Sequence, residues 1–298
     1  MKILLLTALA PILWGTTYIT TTEFLPPDQP ILVALLRSLP IGILITLLYR
    51  TLPKGHWWWR AFVLGALNIG LFFALLFVAA YRLPGGMVAT IGALQPLIIM
   101  ALSKFVLQDR VPPLAVGAGL LGIIGVAFLV FSPNGQLDWV GILAAVAGML
   151  LMSVGVVLTK RWGSPVDLLP FTAWQLTAGG IVLLPIMLIF EPTLPTFTVT
   201  NIFGFLWLGV IGTGLAYWLW FRGIKSLRPF QISFLGLFSP MVAVILGYAF
   251  LDQGFALRQW MGIGLILVSI ILAQSTQYLP IKFTKISIFL DRVKLKLN

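Results

Sequence analysis

Apolar runs of roughly 20 residues, each closed by a short polar or proline-containing stretch, follow one another from the start of the chain to about position 274. A run of that length with almost no charge is what a helix needs to cross a hydrocarbon core of about 30 Å. A helix satisfies its own backbone polar groups inside lipid, so each run is predicted to be one membrane-crossing helix. The pattern places ten spans, approximately Ile3 to Thr22, Ile31 to Tyr49, Arg60 to Tyr81, Gly86 to Val106, Pro113 to Phe131, Trp139 to Leu158, Leu168 to Phe190, Asn201 to Phe221, Pro229 to Phe250 and Ala256 to Gln274.

The pattern also repeats within itself. A shift of 144 residues lays Gly70 on Gly214, Leu83 on Leu227, Gly92 on Gly236 and Pro96 on Pro240. A shift of 138 lays Gly42 on Gly180, and a one-residue loop insertion brings Gly117 and Gly119 onto Gly262 and Gly264. Apolar matches are common in such a chain, whereas matched glycines and prolines each impose a backbone property. Two five-span halves follow, residues 1–137 and 138–276, with a basic tail at 277–298. An odd number of spans turns the second half over in the membrane. The predicted fold is therefore an all-α membrane protein of ten transmembrane helices in two inverted five-helix repeats, an architecture used by secondary transporters.

Composition fixes the solvent: of 298 residues, 60% are hydrophobic and 9% charged, which excludes an ordinary soluble domain. The net charge of +11 is a matter of placement. Sixteen of the 19 basic residues fall on one side, from Lys2 through the Arg50–Arg60, Lys104–Arg110, Lys160–Arg161 and Arg222–Arg228 segments to the tail. The other side holds only Arg82 and Arg258, and Arg37 lies within a span. The positive-inside rule then puts both termini and the His56 and Lys225 loops in the cytoplasm, with Asp28, Asn134 and Glu191 facing outward. The expected location is a bacterial inner (plasma) membrane. The basic charge thus points to membrane lipid as partner and not to nucleic acid, and the tail, which mixes Lys282, Lys285 and Arg292 with Phe283, Ile286 and Phe289, suits an anionic lipid surface. Ala8-Leu9-Ala10 resembles a signal-peptide cleavage site, but Pro11 and the apolar continuation through Trp14 argue for retention. Nothing in the pattern requires an oligomer, and a monomer is compatible with it.

Trp14-Gly15 late in span one, Leu36-Arg37 in span two, the GALQP and GLFSP helices, and a short loop with Asp109 or Asp252 before a glycine-rich closing helix together carry a family likeness. Over residues 3 to 274 the chain resembles the EamA-type transporters of the drug/metabolite transporter superfamily. The stretch APILWGTTYITTTEFLPP and the twin-basic inner loops look most like a branch associated with pigment or metabolite efflux. The family pattern has Glu where Asp109 and Asp252 stand, a conservative departure. The resemblance implies a ten-span exporter of small organic molecules, ranging from amino acids to dyes and drugs.

Enzyme chemistry finds little support. Gly117-Ala-Gly119-Leu-Leu-Gly122 matches a dinucleotide fingerprint, but it lies inside an apolar helix with no preceding strand, where small residues instead allow close helix packing. The chain has one histidine, His56, no cysteine, and eight acidic residues that all fall at or beyond span ends. No catalytic residue, cofactor or metal site is therefore expected, nor an intramembrane acid for proton coupling. A solute cavity is expected instead, with spans three, four, eight and nine around it. Its candidate lining is Trp14 and Tyr18, Asn68 and Phe72, Gln95, the pair Trp174 and Gln175, Tyr217 and Ser239. Arg37 either neutralises a substrate carboxylate or pairs with helix-end carbonyls or Glu23 to hold spans one and two together. Pro96 and Pro240 each break a helix and are expected to free the carbonyl four residues back, of Gly92 and Gly236, at two hinges facing a common cavity. The predicted function is export of a small organic solute by alternating access. A scaffold or receptor-like membrane protein without flux is the alternative.

Overall fold

The computed structural model describes residues 2–27, 29–83, 85–130, 138–250 and 256–276. Asp28 and Asn134, named above as topological markers, Asp252 of the family likeness, and the tail lie outside the described residues. The regular structure described is helical: α1 (Lys2–Gly15), α2 (Thr17–Phe24), α3 (Pro30–Tyr49), α4 (Trp57–Gly65), α5 (Leu71–Arg82), α6 (Gly85–Gly92), α7 (Gln95–Val106), α8 (Pro113–Val130), α9 (Trp139–Trp162), α10 (Leu168–Phe190), α11 (Val199–Leu206), α12 (Ala216–Ser226), α13 (Pro229–Leu235), α14 (Phe238–Phe250) and α15 (Leu257–Ser275). Among the described residues, seven helical stretches are long and apolar enough to cross a membrane. Leu48, Ile189 and Phe190 are 70%, 71% and 72% exposed, which suits a surface against lipid tails and would be costly against water.

Helix ends follow local chemistry. The Asp138 carboxylate accepts from the N–H groups of Val140 (2.8 Å) and Gly141 (3.2 Å) and starts α9. Pro30, Pro113 and Pro229 open α3, α8 and α13, where the missing N–H costs nothing. Arg50, at φ 49°, turns α3 off into the loop before α4. Span one is predicted as continuous, but it divides at Thr16 into α1 and α2, and Trp207 Nε1 donates to the Thr16 hydroxyl there.

Two π-helical turns interrupt the third and eighth helical stretches: Ala66–Gly70 joins α4 to α5, and Trp207–Leu215 joins α11 to α12. The 144-residue shift carries the first turn onto positions 210–214, inside the second. π turns of this kind gather at functional sites.

Close packing runs through glycines, as expected where lipid removes the hydrophobic drive between helices. α3 lies along α10. A Cβ on Gly42 would stand 2.6 Å from the Thr177 nitrogen, and one on Gly180 would stand 2.5 Å from the Leu39 Cβ. The 138-residue step carries one contact onto the other, Gly42 onto Gly180 and Leu39 onto Thr177. α8 lies along α15, where Gly125 meets the Ile266 nitrogen and Gly262 meets the Gly125 carbonyl.

Candidate functional site

A cavity of ≈ 560 Å³ opens between the two halves of the chain. Helices α1, α2, α3, α5, α9 and α12 and the turn after α2 line it, together with the broken stretches α6–α7 and α13–α14. It runs from Tyr217 and Trp220 in α12 to the turn carrying Pro26 and Gln29. Its deep end is aromatic: the Trp14 ring stands 5.2 Å from Tyr217 and 5.0 Å from Trp220, and Phe73 lies 6.4 Å from Tyr217.

Of the residues predicted from sequence, Trp14, Arg37, Phe72, Gln95, Tyr217 and Ser239 line this cavity, as do Gly92, Gly236 and Pro240. Tyr18 is helical, but its side chain lies outside the described residues. Asn68, Trp174 and Gln175 do not line it. Trp174 Nε1 donates to the Thr51 carbonyl at 2.7 Å and ties α10 to the loop after α3. Asn68 Nδ2 donates to Gln175 Oε1 (2.8 Å) and Thr159 Oγ1 (3.1 Å), so the π turn of residues 66–70 is clamped to α10 and α9. The reason is the π turn itself: it rotates Asn68 away from the face carrying Phe72. Span six, from which the sequence reading named no lining residue, contributes Gly148, Met149 and Met152.

Arg37 is 4% exposed. Its Nε donates to Thr213 Oγ1 at 2.8 Å, Nη2 donates to the Gly212 carbonyl at 3.0 Å, and the guanidinium lies 5.1 Å from the Phe73 ring centre. Glu23 sits on the exposed surface of α2 and takes no part. The partner is thus the second π turn, because that turn presents a carbonyl outside the ordinary i to i−4 ladder. Tyr217 OH donates to the Asn68 carbonyl at 3.2 Å and so links α12, just past the second π turn, to the first.

The paired prolines act differently from the sequence expectation. Pro96 and Pro240 stand in the first turns of α7 and α14, where a missing N–H is tolerated. The break falls just before each, at Ala93–Leu94 and Gly236–Leu237. The Gly236 carbonyl is not freed: it accepts from the Ser239 N–H at 3.0 Å, because the break tightens into a turn. Pro96 is buried away from the cavity, whereas a Cβ on Gly92 would meet nothing within 4 Å.

Glu191 was read from sequence only as an outward marker. Its two carboxylate oxygens accept from the N–H groups of Ile31 and Leu32, both at 2.8 Å, and cap α3 across the chain. Two of the three fingerprint-like glycines serve packing, Gly119 facing Leu97 and Gly122 facing Ser269, while a Cβ on Gly117 would meet nothing within 4 Å. Among the described residues, no group of three His, Cys, Asp or Glu could hold a metal ion.

The model of the EamA-like transporter family matches residues 1–131 and 139–274. Protein PecM of Dickeya dadantii is 45% identical over 289 residues, covering 96% of this chain and 94% of its own length. The uncharacterized transporter YvbV of Bacillus subtilis is 27% identical, with 91% of each chain covered. A solved crystal structure superposes with a TM-score of 0.78 at 21% identity, over 92% of this chain and 97% of the other, and shares the fold. With the family model matching both halves and PecM matching nearly end to end, this chain belongs to the EamA-type transporters of the drug/metabolite transporter superfamily and is a membrane transporter.

Proposed function

We propose that the protein exports a small organic solute by alternating access, through ten spans built as two inverted five-span repeats. The observation that carries this reading is the central cavity, walled by both halves and bordered by one broken helical stretch from each, α6–α7 and α13–α14. The reciprocal contacts Gly42–Thr177 and Leu39–Gly180, and the family match over residues 1–131 and 139–274, support the repeat, with halves at 1–137 and 138–276. Seven long apolar stretches together with the shorter apolar α1, α7 and α8 support ten crossings.

With both termini in the cytoplasm, the turn bearing Pro26 and Gln29 is external and the cavity faces outward. The cytoplasmic side is then held by Lys160, whose Nζ donates to the carbonyls of Lys225 (3.0 Å) and Leu227 (2.9 Å) at the end of α12. The substrate-binding set is Trp14, Arg37, Phe72, Gln95, Tyr217 and Ser239, with aromatic faces for a flat solute and a few polar groups to orient it. Counterflow of a mixed panel of labelled metabolites in proteoliposomes tests the reading. Flux that needs solute on the far side is expected, and none at all would favour a scaffold or receptor-like role.

A further inference from the structure

The two π turns form an internal comparison. Gly65 presses on the Gln175 carbonyl (2.6 Å to a Cβ placed on it), and Gly209, one 144-residue step later, faces the Arg37 carbonyl (3.8 Å). Arg37 and Gln175 are themselves 138 residues apart, so they hold the same place in the two halves. Their bonds correspond as well: Gln175 meets Asn68, and Arg37 meets Gly212, the position 144 residues beyond Asn68. One neutral amide therefore suffices to clamp a helix to a π turn at this place. The charge of Arg37 is surplus to that task.

The surplus is also uncompensated. Removing a cation from water is expensive unless an anion answers it, yet among the described residues Arg37 has no carboxylate partner and no acidic side chain lines the cavity. Its hydrogen bonds go to a hydroxyl and a carbonyl, and among the described residues Nη1 makes none. Gln175 is fully buried outside the cavity, whereas Arg37 borders it. Phe73 stands 5.1 Å from the guanidinium and Phe72, Trp14 and Trp220 line the same cavity, where, among the described residues, the indole N–H groups of both tryptophans lack acceptors. Taking the transporter reading as its basis, we infer that the cavity receives a planar aromatic solute bearing a negative charge, with the anionic group on Arg37 and the ring among these aromatic side chains.

The test compares three probes of one shape on the purified protein: 2-naphthalenesulfonate, neutral 2-naphthalenesulfonamide and cationic 2-naphthyltrimethylammonium, with sodium chloride as the inorganic anion. Thermal stabilisation should show the sulfonate bound about tenfold or more tightly than the other two, the scale of one charge-assisted hydrogen bond. Arg37→Gln copies the residue that clamps the other half, so folding should hold while the preference shrinks to about twofold or less. Arg37→Lys should keep a preference for the sulfonate. Equal binding of the three probes, or binding of none, overturns the inference, and so does stabilisation by chloride matching that by the sulfonate. Should Arg37→Gln misfold, the probe series on the unaltered protein decides alone. Selective binding without counterflow would sink the transporter reading and spare this inference, whereas counterflow of the neutral or cationic probe in preference to the sulfonate would do the reverse.

Discussion

Arg37 and Thr213 meet at 2.8 Å although 176 positions separate them, and the bond fixes α3 against the π turn that precedes α12. Thr213 is fully buried, so its hydroxyl has no water to replace the guanidinium. Thr213→Val keeps the shape and removes the acceptor, and should lower stability by about 1.5–3 kcal/mol, the range for a bond to a charged group. Thr213→Ser should restore most of that. Thermal unfolding in detergent gives the answer, and an unchanged midpoint for the valine protein would mean that the bond contributes nothing.

The glycine contacts between α3 and α10 make a paired prediction. Gly42→Ala and Gly180→Ala each bring a methyl group within 3.0 Å of backbone atoms of the facing helix, so both should destabilise by about 1–3 kcal/mol. Gly117→Ala and Gly264→Ala, where nothing lies within 4 Å, should be neutral or stabilising. Unlike effects at Gly42 and Gly180 would count against a two-fold relation between the halves.

Pro96→Ala and Pro240→Ala should insert and fold, since alanine is well accepted in a helix. A regular i to i−4 ladder can then extend back toward Gly92 and Gly236 and stiffen the breaks. Each protein should transport more slowly, with opposite biases in the accessibility of cysteines placed on the two sides. Parental rates in both would make the breaks static.

Asp138 provides a pH-dependent contact at the start of α9. The Gly141 N–H, then the Arg82 guanidinium at 3.0 Å, hold its carboxyl below the usual carboxylate value of 3.8. A lowered folded value means that the stabilisation is complete above about pH 4 and fades as the pH falls through the folded value. Asp138→Asn should remove the acid-dependent part of the unfolding midpoint while keeping a helix-capping oxygen. If acid sensitivity is identical in the two proteins, the loss at low pH lies elsewhere.

The long apolar helices were legible because lipid demands length and apolarity, and both are written locally. Gly42 and Gly180, matched in the sequence, do meet the facing helix closely. Cavity residues on regular helices, such as Trp14 and Tyr217, could be found from their type and position alone. Asn68 was misplaced because a π turn shifts the helical face by part of a turn and no residue type announces it. Glu191 was invisible as a cap because its partners, Ile31 and Leu32, lie 160 and 159 positions away. The only trace was a helix opening at Pro30 behind Gln29, whose side chain makes no capping bond.

The unlike clamps at Arg37 and Gln175 also bear on the resting balance of the molecule. If the two halves exchange roles as the cavity changes sides, a chain with identical clamps would sit equally in both orientations. Here one orientation loads a charged joint and the other a neutral one, so the two states differ in free energy even with nothing bound. A difference of about 1.4 kcal/mol already shifts the ratio tenfold. On the proposed alternating-access reading, an empty carrier of this design is expected to wait mostly on one side, and the solute's own charge, by answering the arginine, to even the scale and release it.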